Sequence, residues 1–274
     1  MGKGRPFLEI FTYALDEDYR FPILEIFAFL FALGTFVFAN FAGAYDRTGE
    51  TFAYSLVSTL CGFPLLFIFV ILILKNVAYG LGSDLDRGVM QTLFSYPLKR
   101  RYILTAKLLS SLGIAVLLFL GIQIFGLFLL APDIMATYPG TVFLTYAAHL
   151  CSPALLLAGL VLLLTLRLKR GGLALIIGVV LFFAGLIVSG LMTSIAYGTG
   201  SDLSLKIWAV INPNSALQRY YMGTPYIGTP GFLLGDETWL PSFSEVLLYL
   251  GAGYLIVAAL FVVGYIYFDR RLEI

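Results

Sequence analysis

GGLALIIGVVLFFAGLIVSGLMTSIAYGTGS, residues 171–201, runs for 31 positions without Asp, Glu, Lys or Arg. A helix of about 20 residues crosses a hydrocarbon core of about 30 Å. The stretch therefore holds one crossing and is too short for two with a turn. It does not alternate with period two, and it far exceeds a membrane strand. In lipid such a segment satisfies its own backbone hydrogen bonds as a helix. Working outward, residues 26–45, 51–74, 108–132, 134–166 and 246–268 are also free of those four residue types. The expected fold is an all-α membrane protein with six transmembrane helices, at about 22–44, 52–75, 106–130, 142–166, 173–197 and 244–268. They form a single domain over 21–274, preceded by a short segment, 1–20.

Composition points the same way. Charged residues number 33 of 274, or 12%, against roughly 25% in a soluble domain. That is too little charge to cover a water-exposed surface. It excludes a soluble enzyme, a disordered chain and a disulfide-stapled secreted module. The two cysteines, Cys61 and Cys151, lie in apolar runs and are expected as buried thiols. A net charge of +1 implies no nucleic-acid partner.

The distribution of charge sets an orientation. Six spans put both termini on one side. That side, with the 75–107 segment and the 167–170 turn, carries 14 Lys and Arg; the other carries Arg47, Lys206 and Arg219. The asymmetry predicts a multi-pass protein of the cell membrane with both termini cytoplasmic. The first 20 residues lack the pattern of a secretory signal. Within them Phe7, Ile10, Phe11 and Ala14 fall on one helical stripe, widened by Leu8 and Leu15. This predicts an amphipathic helix in the inner headgroup region, with membrane lipids as its partner.

The polar residues concentrate in 75–107, KNVAYGLGSDLDRGVMQTLFSYPLKRRYILTAK. Gly80, Gly82 and Ser83 are expected to interrupt the second span, and Ser83 or Asp84 to cap a new helix. Asp84 and Asp86 suit a positive helix N-terminus. Leu85, Val89, Leu93 and Tyr96 recur at helical spacing, and Pro97 stops the run. A rigid helix of about three turns follows, with Lys99, Arg100 and Arg101 facing lipid phosphates. The simpler reading is a solvated loop whose charges obey the positive-inside pattern.

Asp86-Arg87-Gly88-Val89-Met90-Gln91-Thr92-Leu93-Phe94-Ser95-Tyr96-Pro97-Leu98-Lys99-Arg100 resembles the cytoplasmic loop of type 2 ATP-binding-cassette exporter permeases. That family has an acidic residue, a Gly-Thr pair, a Leu-Leu-Ser run and Pro-x-x-Arg there, with a Lys near the third span, where this chain has Lys107. Val89 stands where the family usually has Thr. Ile211-Asn212-Pro213 resembles the family's Asn-Pro element between spans five and six. The layout is similar to sodium-exporter permeases and to the permease of nitrous-oxide-reductase maturation.

The resemblance implies a permease subunit, with export as the direction. Residues 83–98 would be a coupling helix docked into a separate cytoplasmic ATPase. Asp84, Asp86, Arg87, Gly88, Gln91, Thr92, Pro97 and Arg100 would form the contact, and ATP and Mg would sit on that partner. A second copy or a homologue would complete the path. Swinging a gate from 1:99 to 99:1 takes about 5.5 kcal/mol from such coupling.

Absences narrow the choice. No Gly-x-x-x-x-Gly-Lys-Ser/Thr occurs, so the chain cradles no nucleotide by a P-loop. Neither His-Glu-x-x-His nor a catalytic pair is present, so the chain is expected to be no enzyme, with no metal or cofactor of its own. One His excludes a bis-His haem. His149 and Cys151, two apart on a helix, point away from each other, and His149 is expected to bond a neighbouring helix.

The uncharged runs keep charge out of the membrane interior, with Glu25 just before the first and Lys107 just before the third, which disfavours an ion-gradient-coupled carrier. It suggests a path lined by aromatics, Ser/Thr, Asn40 and Gln123, suited to amphipathic cargo. A non-transporting assembly subunit of a larger complex is the other alternative. Pro64 and Pro153 are expected to bend spans two and four. Gly171, Gly172, Gly178, Ala184, Gly185, Ser189 and Gly190 would let span five approach a neighbour, within the bundle or across a dimer. In the outer segment, Trp208, Tyr220 and Tyr221 suit a membrane interface. The break at Asn212-Pro213-Asn214-Ser215 predicts a re-entrant or surface hairpin, and the rest, through Pro225, Gly228, Pro230, Gly231 and Pro241, an irregular loop.

Overall fold

The computed structural model describes residues 5–19, 21–42, 49–95, 99–222 and 239–270. Among these all regular structure is helical, and six helices are long and apolar enough to cross a membrane. The chain is thus a multi-pass membrane protein. Of the expected irregular loop, 223–238 lie outside the described residues, as do Tyr96 and Pro97, and the stretch 239–242 with Pro241 is described and not helical.

The crossing helices are α2 (Ile23–Ala42), α4 (Phe63–Asp86), α6 (Arg100–Leu130), the composite Pro139–Leu168, α10 (Gly171–Thr199) and α13 (Phe243–Arg270). The composite consists of α8 (Pro139–His149), a π-helical turn (Leu150–Leu155) and α9 (Leu156–Leu168). The remaining helices are α1 (Arg5–Asp18), α3 (Gly49–Leu60), α5 (Val89–Ser95), α7 (Pro132–Thr137), α11 (Leu203–Ile211) and α12 (Asn214–Met222).

The second crossing lies at 63–86, not near 52–75. Residues 51–74 carry no charge, but their helix is cut at Cys61–Gly62. Pro64 sits in the first turn of α4, where its missing N–H costs nothing, so it starts a helix where a bend was expected. At the far end Gly80, Gly82 and Ser83 do not interrupt α4. Ser83 Oγ donates back to the Tyr79 carbonyl at 2.5 Å, and the helix runs on to Asp86. Gly82 has a packing task instead. A methyl group there would meet the Gly171 backbone nitrogen at 2.6 Å, so α4 and α10 touch backbone to backbone.

The core runs along α4, which is two-thirds buried, with α6 and α9 against it. Phe69 stacks on Phe119 with centroids 4.1 Å apart, and Phe31 meets Phe119 edge-on. The outward faces of α10 and α13 remain strongly apolar, as at Ile187 and Leu255. The ends of α4 and α13 and the starts of α6 and α10 share one end of the bundle with α1. Tyr265 donates to the Arg101 carbonyl there, and Phe94 meets Phe268. A second, smaller core of Tyr54, Leu144, Ala209, Leu217 and Trp239 closes the opposite end.

Candidate functional site

Two places hold the polar side chains, one at each end. At the α1 end, α1 lies along α6 with Ala14 and Asp18 buried and Glu9 and Thr12 exposed, the amphipathic stripe that periodicity predicts. Leu8 is the exception; it is 63% exposed. The last turn of α1 brings two carboxylates into the bundle. Glu17 Oε2 accepts from Lys107 Nζ at 2.8 Å. Asp84 of α4 pairs with the same ammonium, and the Gly80 carbonyl accepts from it at 2.8 Å. The three protons of Lys107 thus have three acceptors on two helices.

Beside this group Asp18 Oδ2 accepts from Ser110 Oγ at 2.6 Å and from Ser111 Oγ at 3.0 Å. Burial pushes the Asp18 carboxyl above the ordinary carboxylate range; both serine hydrogen bonds and the charge of Lys75 pull against that, and Glu17 adds to it. Asn76 ties the cluster to the α6 backbone through the Ser111 carbonyl, 3.3 Å away.

These contacts correct one expectation. Lys107, just before the third uncharged run, and Asp84 are buried at this end of the bundle, 3% and 4% exposed. Asp84 does not cap a helix at the surface. It is the buried counter-ion of Lys107.

The exposed residues come next in the chain. Asp86, Arg87, Gln91 and Thr92 are all exposed around a turn at Arg87–Gly88. Gly88 has φ +72°, which a residue with a Cβ rarely adopts. The turn redirects the chain into α5, two turns long where three were expected. Met90 is fully buried beneath it. Leu85 is also buried but belongs to α4, while Val89 and Leu93 are half-buried. Phe94 packs on Phe268 and lies under the Arg100 guanidinium, 4.4 Å from its centroid.

At the opposite end three interruptions of helix meet around one cavity of about 540 Å³. One is the α3–α4 break at Gly62. A second is the turn before Pro153, where Ser152 adopts φ −139°, ψ 129°. The third is the α11–α12 break, where the expected one at Asn212-Pro213 is found, with Asn212 and Asn214 in the wall. Irregular backbone at membrane depth is tolerated where it is buried in protein or lines a cavity.

The residues expected along a path are placed differently. Gln123 is fully buried and donates to the Leu60 carbonyl at 3.0 Å, closing the broken end of α3. Asn40 is exposed and bonds its own helix at Phe36. His149 bonds the Thr145 carbonyl of its own helix at 2.9 Å, not a neighbour. Trp208 lines the cavity, and Tyr221 stacks on Tyr54 and reaches Thr141 Oγ1 at 3.2 Å, so both turn inward. Cys61 and Cys151 are buried free thiols, as expected.

Sequence reasoning missed the half-buried Glu17 and the buried Asp18, Ser110 and Ser111. They lie about 90 residues apart in the chain, and periodicity within one segment carries no signal for such a pairing. No family model, curated protein or solved structure matches this chain.

Proposed function

We propose that this chain is the membrane-spanning half of an ATP-driven exporter of the type 2 ATP-binding-cassette kind. In this reading both termini and the α4–α6 link face the cytoplasm, and ATP and Mg are bound by a separate ATPase. A second permease copy or a homologue encloses the path in the cell membrane. The outer α11–α12 pair is the hairpin that dips back from the far surface.

One observation carries the reading: a polar, exposed turn is mounted on a stiff base. Asp86 ends α4, and Arg87, Gln91 and Thr92 project from the link of 13 residues between it and Arg100. Directly behind it Lys107 joins the ends of α1, α4 and α6. On the α4 side, a pull on α5 passes through the Gly88 turn to a helix end that Lys107 ties to α1 and α6. Asp84 leaves the set of ATPase-contacting residues in this account and becomes part of the mount. Pro97 lies outside the described residues, and Arg100 packs on Phe94 at the edge of the turn.

The test is Gly88→Pro. Proline is confined to φ near −65° and cannot occupy this turn. Transport and stimulated ATP hydrolysis should be lost in vesicles containing the chain with its ATPase, while membrane insertion is retained. Unchanged transport would remove the assignment, as would purification of a stable native complex without any nucleotide-binding chain.

A further inference from the structure

Two residues in the wall of the cavity at the three helix breaks hold polar atoms that the fold leaves unpaired. Trp208 Nε1 and Asn214 Oδ1 are buried and have no hydrogen-bond partner among the described residues. Both residues line the cavity. An unpaired buried donor and an unpaired buried acceptor are each costly, and native structures seldom keep them without a role. His149 adds a third group in the same wall. Its Nδ1 faces the Thr145 carbonyl, which can only accept, so Nδ1 carries the proton. In the uncharged ring Nε2 is then an acceptor.

The rest of the wall defines the ligand. No Asp, Glu, Lys or Arg lines the cavity. Leu66, Leu160 and Phe182 make an apolar barrel, and Ser58, Ser152 and Asn212 join the polar side. Small residues of α10 leave the room: Gly185 lines the space, and a Cβ built there meets nothing within 4 Å. A volume of about 540 Å³ is that of a site for a drug-sized molecule.

We infer that this cavity binds an uncharged amphiphile with a hydroxyl head and a hydrocarbon body. The hydroxyl oxygen accepts from Trp208 Nε1 and the hydroxyl donates to Asn214 Oδ1 or His149 Nε2; for Trp208 and Asn214 this takes a rotation of the indole and of the amide, whose polar atoms are covered before binding. The chain lies against the leucines. A charged head finds no counter-ion in this wall, and a plain hydrocarbon leaves the tryptophan N–H and the asparagine oxygen unsatisfied. The inference goes beyond the exporter reading, since binding to the cavity needs neither ATP nor an ATPase.

The sequence holds two tryptophans, so a Trp239→Phe chain keeps Trp208 as its sole reporter. Trp239 packs edge-on to Tyr249, a contact phenylalanine preserves in kind. The full-length variant in lipid nanodiscs is titrated with a long-chain alcohol brominated on its chain, which quenches nearby indole. The expected result is a saturable component of quenching, displaced by the unbrominated alcohol. An added Asn214→Leu should weaken it about tenfold, and an added Gly185→Phe should abolish it. A brominated alkyl sulfate of equal length should give only the linear component due to partition into the bilayer. Linear quenching by the alcohol, no displacement by the unbrominated compound, or equal binding of the sulfate overturns the inference. Displacement in the parent decides the matter even if Gly185→Phe does not fold. Transport and ATP hydrolysis are not read, so failure here leaves the coupling proposal standing, and the reverse holds too.

Discussion

Lys107 Nζ lies 2.8 Å from Glu17 Oε2, joining the third crossing helix to a segment 90 residues earlier that crosses nothing. The same ammonium neutralises Asp84 of the second crossing helix. One cation thus closes a seam between three helices.

Removing that cation strands two acids. Lys107→Met should lower stability by about 3 kcal/mol, the scale for breaking a buried pair from one side. Thermal unfolding in detergent measures it. Replacing the acid as well, in Lys107→Met with Asp84→Leu, should restore much of the loss, since the uncompensated charge is the main cost.

Asp18 makes α1 docking sensitive to pH. Its folded carboxyl titrates above its ordinary value of 3.8, chiefly through burial. The folded state therefore holds this proton more tightly than the unfolded one. The contribution is fully present below pH 3.8 and is lost as pH rises through the folded value. Asp18→Asn keeps the acceptor for Ser110 and Ser111 without the charge. It should flatten the loss of stability on the alkaline side of pH 3.8, read as melting temperature against pH, with Lys75 and Glu17 unchanged.

Gly82→Ala should cost about 1–3 kcal/mol, because the neighbour it would strike is backbone and cannot swing away. Gly190→Ala, where a Cβ meets nothing within 4 Å, should leave the melting temperature unchanged or slightly raised.

Gln123→Leu should cost about 1–3 kcal/mol by leaving the buried Leu60 carbonyl unpaired. Gln123→Glu removes the amide donor while keeping the shape, and should be no better tolerated. If the leucine variant melts at the parental temperature, the α3 end has another way to satisfy itself.

The six crossings, the stripe on α1 and the break at Asn212 were legible because each depends on neighbours in sequence. Length, apolarity and a 3.6-residue period are local properties. Where α4 begins was not legible. An uncharged run reads as one span whether or not it is cut at Gly62, and a proline reads as a bend whether it lies inside a helix or in its first turn. Gly82 misled in the same way. Glycine weakens an isolated helix, but here it admits Gly171. Asp84 looked like a cap because acids suit helix starts, and only the arrival of Lys107 from the next helix makes it a core residue. Leu85, Val89 and Leu93 read as one stripe, but the turn at Arg87–Gly88 leaves Leu85 on α4 and puts the other two on α5.

The three interruptions of helix all gather in the half of the bundle away from the ion pair, while the half that holds Lys107 has continuous helices and glycine-to-glycine packing. If force enters at the α5 end, as proposed above, the unbroken half would pass it on, and Gly62, Ser152 and Asn212 would be the points free to turn around the chamber.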